Sequence, residues 1–200
     1  MNLDKAEVAR RQLGTALALF LNDQDAVSVH TLASAGSEIA ENLTSLAGQT
    51  PFSAHALASI PNLKIGELLR VRRQFYNAFK HATTLDGEVR DDRALLYRFE
   101  DEQNNHLLFI GWHDYWNGIG KAPIEAQVFQ VWYFALYQDK LNPEHDPRPF
   151  IEMFPDLTNQ SPAMRKEALR RQIATSFTDL KLRSHPGTDP RPLILPAAYS

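Results

Sequence analysis

An all-α bundle is the fold class that this chain predicts, and three observations predict it. Apolar residues recur at three- and four-residue spacing through six long stretches. Segments with alternating strand character are scarce, and capping and turn residues punctuate the helical stretches. The expected organisation is one helical domain over residues 1–183, of about six helices, followed by a proline-rich extended tail over 184–200.

Residues 3–22 form the first expected helix, with Val8, Leu13, Ala16, Leu17, Phe20 and Leu21 on its apolar face. The second spans 26–47 and ends at Gly48. Its small-residue run Ala33, Ser34, Ala35, Gly36, Ser37 suits a close helix crossing better than a solvent face. Residues 49–62 read as a connector around Pro51 and Pro61, with room for a short helix. The third long helix covers 64–83, with Ile65, Leu68, Phe75, Phe79 and Ala82 inward, and Asp86-Gly87 signals a turn after it. Residues 91–117 read as helical with a break near Gln103, Asn104 and Asn105. Pro123 opens an aromatic-rich helix over 124–138. A loop holding Pro143, Pro147, Pro149 and Pro155 precedes Ser161-Pro162, a cap followed by proline at the first helical position of a last helix that runs to Arg183.

The composition excludes several classes. With 44% apolar and 22% charged residues among 200, the chain is globular rather than disordered. A net charge of −3 argues against a general electrostatic grip on DNA, while leaving room for a local basic patch. The absence of cysteine removes disulfides, thiolate metal sites and cysteine nucleophiles together. The N-terminal stretch has no long apolar segment, and the apolar run 17–21 is too short to span a bilayer, so a cytoplasmic protein without membrane partners is expected.

The best candidate site lies on the third helix. Arg73, Asn77 and His81 stand four apart, and Arg70, Lys80 and Thr84 fill the same stripe opposite Leu68, Phe75, Phe79 and Ala82. Guanidinium and ammonium groups suit anionic oxygens, and an imidazole exchanges protons near neutral pH, which together is what a phosphodiester needs. The alternative is a solvated cationic face. On the second helix His30, Ser34, Ser37, Glu38 and Glu41 share one side. If that side faces the Arg73 stripe, acids meet bases in a partly buried site; otherwise it is a solvent stripe, or His30 serves as a cap near the helix start. Glu102, His106 and His113 share a face, but no Glu-x-x-His occurs in the chain, so no metal and no other cofactor is expected. Gly-rich phosphate loops, nucleophile elbows and Rossmann fingerprints are missing.

Two stretches carry a resemblance. Val27-Ser28-Val29-His30-Thr31-Leu32-Ala33 with Glu38-Ile39, and Asn77-Ala78-Phe79-Lys80-His81-Ala82, resemble a group of uncharacterised bacterial helical proteins with His-Thr-Leu-Ala and Asn-x-Phe-Lys-His-Ala motifs, over residues 13–92. The chain also loosely resembles HEPN-type bundles, many of which are metal-independent ribonucleases or nucleotide-binding modules. Their mark is an arginine, then a polar residue, with a histidine after four to six intervening residues; here Gln74 follows Arg73, and seven residues separate Arg73 from His81.

Two functions follow as expectations. In one, the stripe belongs to a binding or regulatory module for a nucleotide, an RNA or an acidic protein surface. In the other, the chain is a metal-independent nuclease or phosphate-handling enzyme. His81 is then the general acid/base, Arg73 and Lys80 stabilise developing charge, and Asn77 orients the substrate or His81. Arg70, His30 and Glu38 are the expected ligand contacts, in a monomer or a homodimer.

Overall fold

The computed structural model describes residues 3–141 and 144–196. Among them the chain is all-helical, with ten α-helices, two short 3-10 turns and two isolated β-bridges but no strand. No helix among the described residues is long and apolar enough to cross a membrane. The chain divides into two compact units, residues 1–119 with 194–200, and residues 120–193.

The first unit is built on α1 (Lys5–Leu21), α2 (Ala26–Leu46) and α6 (Glu102–Ile119). Asp4 and Asp25 cap α1 and α2 by accepting from the backbone N–H of Glu7 and Ser28, both at 2.8 Å. Leu13 and Leu17 of α1 and Leu108 and Trp112 of α6 are fully buried. The small-residue run of α2 lies where these helices meet, with Ala33, Ser34, Gly36 and Ser37 all buried. A Cβ on Gly36 would stand 2.8 Å from Leu13 Cγ, and one on Gly111 2.6 Å from Leu13 Cδ2. Glycine is what lets these axes approach. On α1, the buried Arg10 holds its guanidinium 5.5 Å from the Trp112 ring.

Three shorter elements complete this unit: α3 (Phe52–Ser59), α4 (Ile65–Lys80) and α5 (Arg93–Leu96). The α4 helix is an overlay on α2, and of its sixteen residues Phe75 is the buried one. Phe79, expected inside, is half-buried, and Ala82 is exposed beyond the helix end. The helix also stops short of Thr83. At His81 the backbone is extended (φ −122°, ψ 118°), because the following residues fold into a small hairpin. Thr84 N–H donates to Glu88 O at 2.8 Å and Arg90 N–H to Ala82 O at 3.0 Å, around a turn in which Gly87 has φ +87°. The expected helix over 91–117 is likewise divided, its break falling at residues 97–101, upstream of Gln103.

The second unit holds α7 (Ile124–Leu136), α8 (Arg148–Met153), α9 (Pro162–Ser176) and α10 (Leu180–Ser184). Phe129 and Trp132 of α7 stack at 5.5 Å, and Trp132 Nε1–H donates to Arg165 O at 3.0 Å. The expected last helix is divided, because Asp179 accepts from the N–H groups of Lys181 and Leu182 and so starts α10 afresh. The stretch expected as a loop before Ser161 contains α8, while Pro143 lies outside the described residues. Of the tail over 184–200, Thr188 bridges Ala122, and Thr188 and Asp189 are buried. Leu195 O accepts from Arg11 Nη1 at 3.0 Å, and residues 197–200 lie outside the described residues.

Candidate anion-binding site

The helical repeat places Gly66, Leu69, Arg70, Arg73, Gln74 and Asn77 along one side of α4. The hairpin after the helix brings back Arg90, and α5 supplies Leu95. Together these residues line an open cleft of about 420 Å³. Its lining carries three guanidiniums and two carboxamides and no carboxylate.

Two of the arginines are oriented from behind. Arg73 Nε pairs with Glu38 Oε1 on α2 at 2.8 Å, both side chains being more than one-third exposed. Arg90 holds Asp92 through Nε at 2.7 Å and Nη2 at 2.9 Å. That hydrogen bonding raises the Arg90 value and lowers the Asp92 carboxyl below its ordinary value. Each fork keeps N–H donors for a ligand, since a guanidinium has five. Arg70 has no hydrogen-bond or ion-pair partner among the described residues. The positive charge left over once Glu38 and Asp92 are counted therefore resides on Arg70.

Behind Arg73 lies a more buried seam. Arg72, its side chain 9% exposed, donates to Glu41 Oε2 at 2.9 Å and to Ser37 Oγ at 3.2 Å. Ser53 Oγ on α3 donates to the other Glu41 oxygen. The acidic side of α2 thus does meet α4, through Arg72 and Arg73. A void of about 10 Å³ beside Ser34, Glu38, Glu41, Arg72 and Arg73 is the size of a single water, and Ser34 Oγ is a buried hydroxyl without a partner among the described residues.

The structure therefore brings together Arg70, Arg73 and Asn77, with Glu38 behind Arg73. Lys80, His81 and His30 are not part of the cleft lining. Lys80 is exposed with its Nζ 5.3 Å from the Tyr76 ring, and His81 is exposed at the C-cap, off the helical stripe. His30 is buried, 4% exposed, on the inner side of α2. Its imidazole lies nearly perpendicular to the rings of Phe75, Phe79 and Phe99, with centroids at 5.9, 5.6 and 5.3 Å. Asn104 Nδ2 donates to Ala26 O and Asp101 Oδ1, which directs Asn104 Oδ1 at His30 Nδ1, 2.9 Å away. The proton must then sit on Nδ1, and Nε2 is left without a partner among the described residues. Burial holds this histidine below its ordinary value, with the Asn104 hydrogen bond opposing.

Of Glu102, His106 and His113, the last is tied to a neighbouring carboxylate. His113 Nδ1 lies 3.1 Å from Oδ1 of the fully buried Asp114, which also accepts from Phe52 N–H at 2.7 Å. Among the described residues no three acidic or histidine side chains gather as a metal would require.

Sequence reasoning passed over Arg72 and Arg90, and named Gln74 only as the residue after Arg73. Arg90 had one available signal, the Asp86-Gly87 turn, which folds the chain back toward the end of α4. No family model, curated protein or solved structure matches the chain.

Proposed function

We propose that this chain is a helical binding module whose α4 cleft holds a phosphate group of a nucleotide or RNA. What carries this reading is the lining itself: Arg70, Arg73 and Arg90 converge with Gln74 and Asn77, and two of the guanidiniums are pre-oriented by carboxylates outside the cleft. Planar forks of donors match the oxygens of phosphate, and holding them in place beforehand reduces the ordering cost of binding. Leucine, glycine, arginine and carboxamide side chains bind and orient, but none exchanges a proton near neutral pH. Binding without turnover is therefore favoured over a HEPN-like ribonuclease, which would need His81 from beyond the helix end as general acid/base. An acidic protein surface is the competing ligand, and phosphate is preferred for the convergence of three forks on one recess.

The test is binding of a short labelled single-stranded RNA and of adenosine triphosphate at about 50 and 200 mM salt. Affinity should fall with salt, Arg70→Ala and Arg73→Ala should each weaken binding about tenfold or more, and the RNA should remain intact. Failure to bind either probe, or equal binding by the Arg70→Ala/Arg73→Ala double variant, would overturn the proposal. Cleavage lost in His81→Ala would restore the enzymatic reading.

A further inference from the structure

We infer that His30 is an acid-sensitive latch that holds α4, and with it the cleft-lining residues, on the helical core. Its bearing on the cleft rests on the reading above, whereas the latch itself does not. Phe75, the buried residue of α4, together with Phe79 of the same helix and Phe99 from the turn after α5, surrounds one imidazole. The same three rings thus anchor both parts of the chain that line the cleft, the helix and the segment carrying Arg90 and Leu95.

The neutral imidazole fits this place. Nδ1–H is bonded to Asn104, and three phenyl rings, each nearly perpendicular to the imidazole, pack around the rest of it. A second proton on Nε2 would put a charge where no acceptor waits among the described residues. A charged donor without an acceptor is costly in an apolar surround, and the cheaper response is to open the cage and hydrate the ring. None of the neighbouring charged groups is bonded to Nε2, and each has another partner. Asp101 is engaged by Asn104, Glu41 by Arg72 and Ser53, and Glu38 by Arg73. His55 on α3 and His81 at the end of α4 are exposed.

The linkage gives a magnitude. If His30 titrates at the ordinary value of about 6.5 once α4 has lifted, the opening constant of α4 should rise, by at most about tenfold, between about pH 7.5 and 5.5. Amide hydrogen exchange of the full chain, without ligand and corrected for intrinsic rates, reads this directly, with α1 amides as internal reference. In the wild type α4 should show that rise relative to α1. It should vanish in His30→Leu and in His30→Gln, two variants of different polarity, so that loss of folding in one leaves the other. His81→Gln and His55→Gln should keep it. A rise that persists without His30, or α4 opening that does not change with pH in the wild type, would overturn the latch. Absence of RNA or nucleotide binding at about pH 7.5 would instead count against the cleft reading alone.

Discussion

Gly118→Ala tests how closely α2 and α6 approach. A Cβ on Gly118 would lie 2.8 Å from Thr44 N, 3.0 Å from Leu43 C and 3.1 Å from Thr44 Cα. All three are backbone atoms of α2, so no side chain can rotate away and the helices must separate. Thr44 also donates from Oγ1 to Asp114 O at 2.5 Å, a bond across the same crossing that separation would stretch. Overpacking of this kind costs about 1–3 kcal/mol. Alanine returns up to about 1 kcal/mol of helix propensity, less here because Gly118 is the penultimate residue of α6. The expected net loss is about 1–2 kcal/mol, a drop in Tm of roughly 2–8 °C for a chain of this size. Gly66→Ala is the paired control, since a Cβ there meets nothing within 4 Å and the site is in the first turn of α4. It should be neutral or stabilising by about 0.5 kcal/mol. Differential scanning calorimetry of both variants decides the matter. A Gly118→Ala protein that melts at or above the wild type would refute the close crossing.

Other consequences are open to the same kind of measurement. Arg72→Ala should cost about 1.5–3 kcal/mol in urea unfolding, since it strips a charged partner from half-buried Glu41, while Arg73→Ala, whose pair with Glu38 is exposed, should cost less than about 1 kcal/mol. Phe75→Ala should cost about 3–5 kcal/mol, whereas His81→Ala should stay within about 0.5 kcal/mol; equal losses would place His81 in the core. Because burial lowers the His30 value in the folded chain, the unfolded chain takes up the proton first. This contribution to stability is therefore whole above about pH 6.5 and is lost as pH falls toward the depressed native value, by at most about 1.4 kcal/mol per unit. Urea unfolding between about pH 7.5 and 5.5 should show that loss, and His30→Leu should remove it.

The parts of the fold legible in the sequence are those written in local periodicity. The starts and ends of α1, α2 and α7 lie within a residue or two of the expected ones, because Asp25, Gly48 and Pro123 mark them. What was hidden depends on partners distant in the chain. The bonds from Ala82 O to Arg90 and from Glu88 O to Thr84 pull the chain off the helix at His81, so the four-residue spacing from Asn77 to His81 does not survive as a shared face. The same pairing carries Arg90 to the cleft. On α2, His30 and Glu38 share a stripe in sequence but stand two turns apart, about 12 Å along the axis, and so serve different neighbours. Arg72 escaped notice because a cation between Arg70 and Arg73 reads as solvent-facing, and only Glu41 and Ser37 on α2 give it a buried role.

The most direct test of the cleft is nuclear magnetic resonance of the arginine Nε–H and side-chain amide groups during titration with single-stranded RNA and with adenosine triphosphate. The account predicts that Arg70, Arg73 and Arg90 Nε–H and the Gln74 and Asn77 amides shift together, saturably, with Arg165 and Arg148 unmoved. Shifts absent from those five residues, or spread evenly over every exposed arginine, would contradict a built anion site on α4.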